Sequence, residues 1–109
     1  MDALARGRAN DFLMRATNFI QSTLRVELRH DDIVVLFRRG EAYQLESEKE
    51  FVRYMLIAVA AGSGAATPDP DWIHDIMSRP APTNQLKLRS LFRAAHDHLP
   101  DDVARRAGS

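Results

Sequence analysis

The sequence predicts an α+β fold, and three observations predict it. Apolar residues recur at three and four over residues 9–24, the mark of an amphipathic helix. Ile33-Val34-Val35-Leu36-Phe37 is a β-branched run ending in an aromatic, which reads as a strand. Ser47-Glu48-Lys49-Glu50 then forms a capping box ahead of a long apolar stretch, which reads as a second helix.

In the first helix Phe12, Leu13, Ala16, Phe19, Ile20, Thr23 and Leu24 make one buried stripe. Near Leu24 the period changes to two, because Val26 and Leu28 alternate with Arg25, Glu27 and Arg29, so a short strand is expected over 24–29. Continuation of the helix through residue 29 is the competing reading. His30-Asp31-Asp32 supplies a polar turn. The strand at 33–37 is apolar on both faces and is expected at the middle of a sheet. Arg38-Arg39-Gly40-Glu41 reads as a tight turn in which Gly40 takes positive φ, and 42–46 as the returning strand, with Tyr43 and Leu45 on one side. Together these segments predict a two- or three-stranded antiparallel meander.

The helix from Glu48 to about Ala61 is apolar on nearly every side, as expected of an element surrounded by protein. Gly62-Ser63-Gly64 ends it, and 65–68 read as an exposed linker. Asp69-Pro70 is expected to open a short helix, with Asp69 as cap and Trp72, Ile73, Ile76 and Met77 facing inward. Pro80 and Pro82 break that helix, because neither donates a backbone hydrogen bond. Thr83 or Asn84 can cap a longer one carrying Leu88, Leu91, Phe92, Ala95 and Leu99. Pro100 stops it, and 100–109 are expected to fray beyond an ordered core of about 9–99.

At 109 residues the chain fits one domain. It has no cysteine, so a disulfide framework and a Cys-ligated zinc are excluded. The longest apolar run, 51–61, contains Arg53 and is too short to span a bilayer, which needs about 20 residues. Arg6, Arg8 and Asp11 interrupt the apolar stretch a signal peptide would need, so the chain reads as soluble, unexported and cytoplasmic. Fifteen basic and fifteen acidic side chains cancel, which removes the strong electrostatic argument for nucleic acid or an anionic membrane. Any role carried by charge must come from a local patch.

Residue chemistry offers few constellations. His96-Asp97-His98 is the densest histidine cluster, but residues two apart on a helix diverge by about 200°, so the pair does not share a face as metal ligands require. His30 beside Asp31 and Asp32 reads as turn chemistry. Asp31, Asp32, Glu41, Glu46 and Glu50 stand where turns and helix starts want acidic residues, so no catalytic pair is assigned. No metal ligand, cofactor site or catalytic residue is expected.

Two surfaces stand out. Lys87, Arg89, Arg93 and His96 make a cationic face on the last long helix, suited to phosphate or to ordinary solvation. Trp72, Arg38, Arg39 and Tyr54 are candidate protein-interface residues, although the reading favoured for Trp72 is that it pins its helix to the core. The reading favoured by the sequence is a small non-catalytic protein-binding module of a bacterial cytosol: an adaptor, chaperone, or inhibitor such as an immunity protein or antitoxin. Self-association as a homodimer fits a helix that is apolar all round. The alternatives are a nucleic-acid-binding regulator using the last helix and a small enzyme with dispersed histidines and carboxylates.

Overall fold

The computed structural model describes residues 3–107, with side chains from Asn10 to Ala107, and contains six helices and no strand among them. In chain order these are α1 (Ala3–Leu24), α2 (His30–Ala42), α3 (Glu48–Ala60), α4 (Asp71–Ser78), α5 (Asn84–His98) and α6 (Asp101–Ala107). Helix α3 is the centre: α1, α2, α5 and α6 all pack on it, while α4 packs on α5. Its Tyr54, Met55 and Ala58 are wholly buried, as an element apolar on nearly every side should be.

The predicted α+β class is therefore corrected to all-α, and each of the three expected strands has a local reason for being something else. At 24–29, Arg25 adopts a left-handed conformation (φ 56°) and the Val26 amide reaches back to the Gln21 carbonyl at 3.3 Å, which ends α1. The Leu28 amide donates to Gln21 Oε1 at 2.9 Å, so a side chain takes the place of a partner strand. The run at 33–37 lies inside α2. There Ile33, Leu36 and Gly40 are buried at spacings of three and four, and Asp31 and Asp32 occupy the first turn, where the helix dipole favours them.

Gly40 is not a turn residue. A Cβ there would lie 2.7 Å from two atoms of the Phe51 ring, so the missing side chain lets α2 approach α3. Above it Phe37 stacks on Phe51 at 4.6 Å, and Phe12 of α1 packs on both rings at 6.0 and 6.3 Å.

Residues 42–46 are the end of α2 and a Schellman turn. The Leu45 amide donates to Gly40 O at 3.0 Å and the Gln44 amide to Glu41 O at 2.9 Å, with Gln44 at φ 68°. Helix α3 ends the same way, with Ser63 to Ala58 O at 2.9 Å, Gly62 to Val59 O at 3.0 Å, and Gly62 at φ 91°. At its start the expected capping box forms. Ser47 Oγ accepts from the Glu50 amide, while Glu50 Oε1 accepts from the Glu46 amide at 2.8 Å, the Ser47 amide at 3.3 Å and Asn84 Nδ2 at 3.1 Å. These donors, the Glu46 amide foremost, hold the Glu50 carboxyl below its ordinary value. Thr83 caps α5 through the Leu86 amide at 3.2 Å.

Residues 101–107, expected within a frayed tail, form α6, whose Ala104 and Ala107 are buried against the bundle; 108–109 lie outside the described residues. No helix among the described residues is long and apolar enough to cross a membrane.

Candidate functional site

Because α1 and α5 both pack on α3, a groove of about 700 Å³ is left with α3 as its floor. Phe12 and Phe19 come from α1, Val52 and Leu56 from α3, and Leu88 and Phe92 from α5, making the lining mainly apolar. Phe19 is 45% exposed, a large apolar surface left uncovered in an otherwise well-buried stripe. That volume lies within the range of ligand-binding clefts, about 300–1,000 Å³.

Charge of one sign is concentrated in this groove. Arg15, Lys49, Arg53 and Arg89 line it, against a single carboxylate, Glu48. Arg15 spans 3.3 Å to Glu48, with both side chains well exposed, so this ion pair contributes little to stability. Lys49, Arg53 and Arg89 form no ion pair among the described residues. A protein of zero net charge thus presents a local excess of cations among apolar side chains. Among the described residues, no histidine, serine or threonine lines the groove.

A second cluster gathers around Asp69, whose side chain is only 3% exposed. Tyr54 Oη donates to Asp69 Oδ2 at 2.6 Å, Tyr43 Oη to the same oxygen at 3.1 Å, and Arg39 Nη1 to Oδ1 at 3.3 Å. Arg39 also donates to the carbonyls of Gly64 at 3.0 Å and Thr67 at 3.3 Å. With the Tyr43 proton committed to Asp69, the 3.3 Å contact between Tyr43 Oη and His74 Nδ1 is completed by a proton on the imidazole. Burial first, and then the Asp69 carboxylate, push the Tyr43 hydroxyl up to about 12 and the Tyr54 hydroxyl higher still. Every strong donor around Asp69 is already used. The cluster is a clasp that fastens the 62–70 segment to α2 and α3, assisted by Asp32 Oδ1, which accepts from the Ala65 amide at 2.8 Å. Residues 65–68, read as an exposed linker, are exposed and also tied down through the Ala65 amide and the Thr67 carbonyl, and Asp69 serves the tyrosines instead of capping α4, which has no side-chain cap.

The residues singled out from sequence are dispersed by the fold. Tyr54 is wholly buried and offers no surface to a partner. Arg39 belongs to the clasp, whereas Arg38 is exposed on α2. Trp72 is half-buried and stacks on His98, with ring centroids 4.8 Å apart and planes within 6°. On α5, Arg89, Arg93 and His96 fall within an arc of about 60°, but Lys87 lies about 200° from Arg89, so the cationic face divides. Of the four, only Arg89 lines the groove, while His96 meets Phe92 edge-on at 4.8 Å. Among the described residues no three histidine or acidic side chains converge as a metal site requires.

The groove itself was missed by sequence reasoning, although a signal for it exists. Lys49 and Arg53 stand four apart on a helix otherwise nearly all apolar, marking the one stripe that protein does not cover. Comparison with known proteins finds no match to a family model, a curated protein or a solved structure.

Proposed function

We propose that the chain is a non-catalytic binding module that holds a segment of a partner protein in the groove between α1 and α5. One observation carries this reading: a mainly apolar groove, with Phe19 exposed on its α1 wall, also carries Lys49, Arg53 and Arg89, which form no ion pair among the described residues. Arginine and aromatic side chains are the types enriched where protein interfaces concentrate their energy. The other polar cluster, around Asp69, is saturated by internal hydrogen bonds, which counts against it as a ligand site.

The test is recovery of bound material from the native host with wild-type protein and with a Phe19→Glu, Arg53→Glu variant, each checked for unchanged helical circular dichroism. A stoichiometric protein recovered by the wild type and lost from the variant is the expected result. Recovery of nucleic acid in place of protein, or of a protein held equally by both, refutes the proposal.

A further inference from the structure

Resting on the groove as the binding site, we infer that its occupant is an amphipathic helix that carries acidic residues beside its apolar ones. The walls and floor are all helical, from α1, α3 and α5 with Ala107 of α6. Backbone donors and acceptors in helix interiors are already paired, so an extended peptide entering here would find no sheet edge to bond and would strand its own amides against an apolar floor. A helix satisfies its own backbone and meets the floor with side chains alone. The length agrees, because the lining of α3 runs from Glu48 to Ile57, about 14 Å, which matches two to three helical turns presenting anchors at i, i+3 or i+4, and i+7.

Charge sets the sign of the occupant's charged residues. Lys49 and Arg53 are one turn apart on α3, about 6 Å, the spacing at which carboxylates four apart on a facing helix repeat. Arg89 supplies a cation from the α5 wall, and Glu48, the one carboxylate that lines the groove among the described residues, is shared with Arg15. A helix carrying glutamates finds three cations that form no ion pair among the described residues, whereas one carrying lysines meets like charge along the same line.

Synthetic peptides of about 16 residues, with Leu, Phe or Met at the apolar positions and either Glu or Lys beside them, provide the test by fluorescence anisotropy. The Glu peptides are expected to bind, and the Lys peptides to bind at least about tenfold more weakly. A Lys49→Glu, Arg53→Glu variant should reverse that order, and a proline at the centre of the Glu peptides should abolish binding. Equal affinity for both charge types, or binding unaffected by the proline, overturns the acidic helix while leaving the groove a binding site. Failure of every peptide also overturns it, and the Phe19→Glu, Arg53→Glu recovery experiment then judges the groove separately. A concentration-dependent dimer abolished by Phe19→Glu would assign the groove to a second copy of this chain and overturn the inference as well.

Discussion

Gln44 holds a left-handed backbone at φ 68° with no glycine to make it easy, a conformation that costs an L-residue about 1–2 kcal/mol. Its position is fixed by the turn that ends α2, and Asn84 Nδ2 donates to its carbonyl at 3.0 Å, so the backbone cannot relax. Gln44→Gly should therefore raise stability by about 0.5–1 kcal/mol, read as a higher urea midpoint at unchanged slope. At Gly40 the expected sign is opposite. Alanine is the better helix former by about 1 kcal/mol, but its Cβ would meet a Phe51 ring that Phe12 and Phe37 hold in place. Gly40→Ala should lower stability by about 1–2 kcal/mol, and a stabilised variant would show that Phe51 yields. The same two residues explain one limit on what the sequence disclosed. Glycine serves turns and close packing alike, so Gly40 reads as a turn, while the true chain reversal at Gln44 carries no glycine to announce it.

Among the elements, those with local punctuation were legible: Ser47 with Glu50 opens α3, Gly62 closes it, and Thr83 opens α5. The stretch 24–46 was not, because a short β-branched run fits a strand and a helix stripe equally, and packing on α3 decides between them. The clasp on 62–70 was invisible for a related reason, since Asp69-Pro70-Asp71 carries the signature of a helix start and its tyrosine partners lie fifteen and twenty-six residues away. Replacing Asp69 by Ala should cost about 3 kcal/mol, because Arg39 and two tyrosine hydroxyls lose a buried acceptor. Amide exchange should accelerate from Gly64 to Asp71 before it does in α3. Uniform acceleration would mean that the segment and α3 open as one unit.

For the molecule as a whole, the radius of gyration of 13.2 Å is close to the value of about 13 Å expected of a single folded domain this long. Its response to alkali follows from the clasp. Both tyrosines titrate higher in the folded chain than the ordinary value near 10, so the folded state retains protons that the unfolded state has lost. Their contribution is complete below about pH 10 and declines as pH rises toward and beyond 12. Urea midpoints should fall over that interval in the wild type and less steeply in Tyr54→Phe. Phenolate absorbance from both residues near pH 10 with the helices intact would contradict it. The groove, too, belongs to this scale, because its floor and walls come from segments spread between Phe12 and Ala107, which is why no single stretch of sequence disclosed it.

Trp72 is the one tryptophan in the chain, and its indole lies flat against the His98 imidazole. Emission from that ring is therefore a built-in, label-free gauge of whether α4 remains seated on α5. A change in colour or intensity on adding a ligand would reveal motion at α4, none of whose residues lines the groove, from a measurement needing no modification of the protein.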